Sequence, residues 1–237
     1  MKKVLTILIP LFAFIGCEDE AEKAADCTSL MDQMNAATDK FENEPTKANC
    51  DAVVKAAQEV YDCMPADSEK DKMKEDLDTL KCPIEITYNI HESLPSDWVT
   101  EFNIIIKNLL TIIPSYENVF DHINIYAWNS NVEDPYPGIG GGAYVGGPPE
   151  NKIMVLEIYE MEFEWNSLHR YSVIAHEYFH IYQLSVNQPM NLPNGNYDPN
   201  GFSIKWLLEG TAASFESLYI QNYYDYNYFM NAQNNIN

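Results

Sequence analysis

The chain has 237 residues, 46% hydrophobic and 13% aromatic, which suits one moderate globular domain with a small appendage and excludes general disorder. Its formal charge of -22, from 14 Lys+Arg against 36 Asp+Glu, repels phosphate backbones and excludes nucleic acid as a partner. Such a charge says little about fold and fits solubility in an extracellular medium.

In chain order, the first element is a targeting segment, residues 1–17. Lys2 and Lys3 form a positive n-region, and Val4 to Gly16 is a low-polarity run of 13 residues. A spanning helix needs about 20 apolar residues, so this run predicts a signal-peptide core and an exported protein. It ends in Phe14-Ile15-Gly16-Cys17, which resembles a bacterial lipobox, although Phe14 stands where Leu is usual. The resemblance implies a lipid on Cys17, which would open the mature chain and anchor it to the membrane of the bacterial envelope. Cleavage of an ordinary signal peptide is the alternative, and it keeps export while losing the anchor. The acidic Glu18-Asp19-Glu20 resembles the surface-export signals of some bacterial lipoproteins.

Residues 18–82 form the next region, acidic and rich in Ala and Lys. Three helices are predicted, from about Thr28 to Phe41, Thr46 to Cys63 and Ser68 to Leu80, with Pro45 and Pro65 in the breaks and Thr46 and Ser68 as N-caps. Four cysteines remain besides Cys17, all in this region, and an even number in an exported chain predicts two disulfides. Metal binding by these cysteines is disfavoured, since no two have the short spacing of zinc sites. Antiparallel helices joined by short loops bring Cys27 beside Cys63 and Cys50 beside Cys82, which predicts those pairs. A helical region this small has little core, so staples are expected.

Residues 83–237 read as α+β. Ile84 to Ile90 alternates with period two, as a half-buried strand does. Ser96 is expected to cap an amphipathic helix with Trp98, Phe102, Ile105, Ile106, Leu109 and Ile113 on one face, ended by Pro114. A strand follows at about His122 to Trp128, then a Pro/Gly loop from Pro135 to Pro149 and a strand at about Lys152 to Ile158. Two long helices are predicted at about Ser167 to Leu184 and Phe202 to Tyr219.

The first of these helices carries His176-Glu177-Tyr178-Phe179-His180. Residues four apart share a helix face, about 5–6 Å between Cβ atoms, so two imidazoles there can reach one ion. Glu177 is one step round the helix, near enough to act as general base on a zinc-activated water without being a ligand. The bland alternative is a pair of hydrogen-bonded core histidines. Catalytic zinc takes three protein ligands, and a third His at position 186, as metzincins have, is excluded because that residue is Val186 and Gln183 replaces the accompanying Gly.

Farther on, Trp206-Leu207-Leu208-Glu209-Gly210-Thr211-Ala212 resembles the glutamate-ligand segment of the gluzincin clan, which includes thermolysin and aminopeptidase N. The resemblance spans Tyr171 to Glu216. It implies Glu209 as the third ligand of a Zn²⁺ held with His176 and His180, and a zincin-like catalytic domain: a small twisted sheet packed on active-site helices. It also implies an edge strand that binds extended peptide, for which Lys152 to Ile158 or the Gly-rich segment before it is the candidate. The separation from His180 is longer than in the aminopeptidases, with the excess in the polar loop Ser185 to Asn200. Thermolysin-like relatives have an acidic residue four positions after the ligand Glu, where this chain has Ala213; Glu216 lines up with an acidic residue of the aminopeptidase pattern. An oxyanion-stabilising Tyr is open among Tyr223, Tyr224, Tyr226 and Tyr228.

Other motifs carry less. Gly138 to Ala143 matches G-x-G-x-x-A, yet Tyr144 to Pro149 cannot open a helix, which disfavours a dinucleotide site. His91, His122 and His169 read as ordinary surface or core residues. The expectation is therefore an exported, lipid-anchored zinc metallopeptidase acting on a peptide or protein substrate. Two rivals are a non-catalytic binding or adhesion lipoprotein on a zincin scaffold, and a structural envelope lipoprotein with a chance motif. No specificity pocket or oligomeric state is legible.

Overall fold

A computed structural model describes residues 18–65, 68–117, 120–133, 135–186 and 205–228. The signal segment, most of the polar loop before Asn200 and the expected helix start at Phe202 lie outside the described residues. The chain divides between Leu80 and Lys81 into two compact units.

The first unit holds three helices, α1 (Glu18–Asn43), α2 (Lys47–Cys63) and α3 (Ser68–Thr79). Helix α1 starts well before Thr28, because the stretch ahead of it is made of good helix formers such as Ala, Glu and Lys. Thr46 caps α2, its side chain accepting from the Asn49 N–H at 3.3 Å. Ser68 is the first residue of α3 itself. Helix α2 buries Cys50, Val53, Ala57 and Val60 at helical spacing, and Ala57 and Val60 meet Met34 of α1 in a small core flanked by Met31 and Leu77. Cys27 is bonded to Cys63, the pair the antiparallel reading predicts, and Cys50 and Cys82 are each disulfide-bonded as well.

The second unit is built on a four-stranded mixed sheet. Its elements are β1 (Glu85–Ile90), α4 (Ser96–Ile112), β2 (His122–Asn129), β3 (Ala143–Gly146), β4 (Lys152–Ile158), α5 (Glu160–Glu164), α6 (His169–Val186) and α7 (Lys205–Tyr224). The sheet order is β1-β2-β4-β3, with β1, β2 and β4 parallel and β3 antiparallel to β4. Helix α4 makes the crossover between the parallel strands β1 and β2, the connection such a pair needs. Alternate residues Ile123, Ile125 and Ala127 of β2 and Met154, Leu156 and Ile158 of β4 face one core. Against them lie Trp98, Phe102, Ile105 and Leu109 of α4 and Ile174, Tyr178 and Ile181 of α6, all close to fully buried. The Trp98 indole N–H donates to the Arg170 carbonyl at 3.1 Å, tying α4 to the start of α6.

In this second unit three sequence expectations change. Ser96 does not cap α4: Pro95 holds that position and Ser96 is already helical, the fixed proline φ suiting a helix entry. The loop Pro135 to Pro149 contains β3, because Tyr144 and Val145 are strand formers between glycines that turn the chain. Gly147 has a φ of +80°, and a Cβ there would run into the Asn151 carbonyl, so the turn from β3 toward β4 needs glycine. As for the edge, Lys152 to Ile158 is an interior strand, paired on both sides, and the Gly-rich segment supplies the outermost strand next to it.

Candidate metal centre

Helix α6 is buried along most of its length and carries the histidine pair on one face. The His176 and His180 ring centroids are 4.9 Å apart and their Nε2 atoms 3.2 Å apart. Helix α7 packs beside α6 and brings Glu209 over the same spot, its Oε2 lying 3.4 Å from His176 Nε2 and 3.5 Å from His180 Nε2. The three residues together form a group able to hold a metal ion. The histidine side chains are largely buried, whereas that of Glu209 is 52% exposed, so the group opens to solvent on the Glu209 side.

What holds each imidazole decides which nitrogen is free. His176 Nδ1 lies 2.9 Å from Glu216 Oε2, and an ionised carboxylate only accepts, so Nδ1 carries the proton. Glu216 sits two turns after Glu209 on α7 and thus does for His176 what Ala213 cannot. That hydrogen bond, opposed by desolvation, raises the His176 pKa. His180 Nδ1 lies 2.7 Å from the Gln183 amide oxygen. With both Nδ1 positions engaged, two Nε2 lone pairs and a carboxylate oxygen face one another at 3.2–3.5 Å. Three electron-pair donors so close call for a shared proton or a cation among them. Tetrahedral zinc with bonds of about 2.0–2.1 Å sets its ligand atoms about 3.3–3.4 Å apart, so this donor set fits the ion in chemistry and in spacing.

Glu177 follows His176 on the helix and is only 6% exposed. Its Oε2 is buried with no hydrogen-bond partner, an uncommon condition for a native carboxylate. Burial pushes its pKa up to about 7; the Glu209 and Glu216 charges add to the rise and His176 opposes it. A carboxyl poised there can hold or release a proton near neutral pH, as a general base requires.

The remaining sequence candidates take ordinary places. The Tyr224 hydroxyl donates to Glu101 Oε1 at 2.6 Å and its ring stacks on Tyr171. Tyr228 packs against the core, and Tyr223 stacks on Tyr219. Tyr226 meets the edge of Tyr228. His91 accepts from the Ser93 N–H, His122 pairs with Glu85, and His169 with Glu162. Gly138 to Ala143 leads into β3, a strand and not a helix. Gln183 is the site residue the sequence did not single out; its signal was its place three residues after His180, on the same face.

Compared with known proteins, the chain matches no family model, no curated protein and no solved structure.

Proposed function

We propose that the chain is an exported zinc metallopeptidase of gluzincin type, with His176, His180 and Glu209 as metal ligands and Glu177 as general base. The observation that carries this reading is the convergence of two Nε2 atoms and a carboxylate oxygen at tetrahedral ligand spacing, beside a buried carboxylate with an unpartnered oxygen. Two histidines and a glutamate leave a fourth position open, the arrangement of catalytic rather than structural zinc. A zinc ion held there supplies Lewis-acid polarisation of a scissile carbonyl and lowers the pKa of water at the open position. Glu177 takes the proton of the attacking water and delivers it to the leaving amine. Glu216 and Gln183 hold the imidazoles in the tautomer that leaves Nε2 free. The antiparallel edge strand β3 supports a peptide substrate, since an outermost strand is where an extended chain can add to a sheet.

Two disulfide bonds support export to an oxidising compartment. No helix among the described residues is long and apolar enough to cross a membrane; the envelope attachment proposed for this chain is a lipid on Cys17.

The test is metal analysis of the purified protein followed by cleavage of a peptide library with and without chelator. One equivalent of zinc, chelator-sensitive cleavage, and a Glu177→Gln variant that keeps zinc but loses hydrolysis are the expected results. A fully active Glu177→Gln variant overturns the mechanism. Stoichiometric zinc with no turnover of any peptide favours the binding or adhesion role instead.

A further inference from the structure

We propose that Gln183 is a positioning residue of the metal centre, locking His180 in the tautomer with Nε2 free and tying that ring to the turn of α7 that carries Glu209. This rests on the metal-centre reading above and adds to it a link between the two ligand-bearing helices.

Three contacts orient the amide. Its Nε2 lies 3.2 Å from the Leu208 carbonyl, which can only accept, so the group facing it is the NH₂ and not the oxygen. The Thr211 hydroxyl lies 2.7 Å from the Leu207 carbonyl and donates its proton there. Its lone pair is then free to accept the second Gln183 N–H at 2.8 Å. The amide oxygen must therefore face His180 Nδ1, which it does at 2.7 Å. Because an amide oxygen only accepts, Nδ1 carries the proton, and the lone pair is on Nε2, the atom that faces Glu209.

The two histidines are thus held by different chemistry. His176 leans on the carboxylate of Glu216, a stronger acceptor, and His180 on a neutral carboxamide. A carboxylate at position 183 could accept from His180 but could not donate to the Leu208 carbonyl. The carboxamide accepts from one helix and donates to the other at once. Leu208 and Thr211 flank Glu209, so any shift of that turn is passed to the His180 ring through one side chain. Loss of such a supporting partner typically lowers metal affinity 10–100-fold.

The test uses the full chain stripped of metal, compared with Gln183→Ala, Gln183→Glu and Thr211→Val. Two-bond ¹H–¹⁵N correlation of the imidazoles above pH 8 reads the His180 tautomer, and chelator competition with the Co²⁺ visible spectrum reads zinc affinity and ligand geometry. The parent is expected to show His180 protonated at Nδ1. Gln183→Ala should show a tautomer mixture, zinc affinity about 10–100-fold lower and a metal-free circular dichroism melt close to the parent. Gln183→Glu should restore the tautomer and recover only part of the affinity, and Thr211→Val should lose less than Gln183→Ala. A Gln183→Ala protein that matches the parent in tautomer and zinc affinity overturns the proposal. So does an affinity loss with the tautomer unchanged. A parent that binds no zinc, or that binds it equally well as His180→Ala, overturns the metal centre itself, and the tautomer spectrum still decides the lock.

Discussion

Replacing Glu177 by Gln keeps the shape of a buried side chain and removes its charge, so the metal-free protein should report the difference as a pH-dependent stability. Burial pushes the Glu177 carboxyl up to about 7 in the folded chain, from an ordinary value of 4.5. Burial is the first cause, so the folded state binds this proton more tightly than the unfolded state. Stability from the group is therefore intact below 4.5, is lost as pH rises, and is gone once pH passes the folded value. At about 1.4 kcal/mol for each pH unit between the two values, the parent loses about 3 kcal/mol by pH 8. Gln has no such dependence. After removal of metal, Glu177→Gln should be more stable than the parent by about 3 kcal/mol at pH 8 and nearly equal to it at pH 4.5. Trp98, Trp128, Trp165 and Trp206 account for every tryptophan and all lie beyond Lys81, so urea unfolding followed by fluorescence reports the unit that holds the site. A stability difference independent of pH, or a less stable Gln variant at pH 8, would refute the reasoning.

The other expectations concern the ligands, their support and the staples. His176→Ala, His180→Ala and Glu209→Gln should each abolish stoichiometric zinc in metal analysis while leaving the far-ultraviolet circular dichroism unchanged. Glu216→Gln should weaken zinc binding about 10–100-fold in chelator competition, far more than Ala213→Gly. Because Glu216 raises the His176 pKa, that pair stabilises the metal-free protein fully below the ordinary histidine value and loses the effect as pH rises through the folded one. The destabilisation by Glu216→Gln should accordingly be larger at pH 5.5 than at pH 9, read by denaturant titration. For the first unit, replacing Cys27 and Cys63 together by Ser opens a loop of 36 residues. Chain-entropy arguments put the cost at about 4 kcal/mol, and helical ellipticity below the parent's melting temperature should show it.

Much of the second unit was legible because its periodicities are clean. Ile123, Ile125 and Ala127 alternate, and Trp98, Phe102, Ile105 and Leu109 recur at helical spacing, so β2 and α4 announce which face they bury. Strand β3 was hidden because only four residues pair, amid glycines and prolines that read as loop, and its partner β4 supplies the missing preference. The cap of α4 was misplaced by one residue, since a proline ahead of a serine serves equally as helix entry. Of the candidate site, His176, His180 and the neighbouring Glu177 were named from spacing alone, because a helix turn fixes what residues four apart can reach. Glu209 needed a resemblance, and Gln183 gave no signal beyond its position, because a single amide has no pattern until its partners are known.

What the amino-acid sequence determined by itself was local: helix faces, strand alternation, an even set of cysteines and a histidine pair with a carboxylate between. The tertiary structure alone decided the encounters between elements distant in the chain. It set Glu209 within 3.5 Å of both histidines, gave Glu216 rather than residue 213 to His176, and left one oxygen of Glu177 without a partner. The physical reason is that spacing along a helix fixes directions within one element, whereas the distance between α6 and α7 follows from how their buried faces pack. A pKa or a tautomer, in turn, depends on atoms that only such packing brings into range.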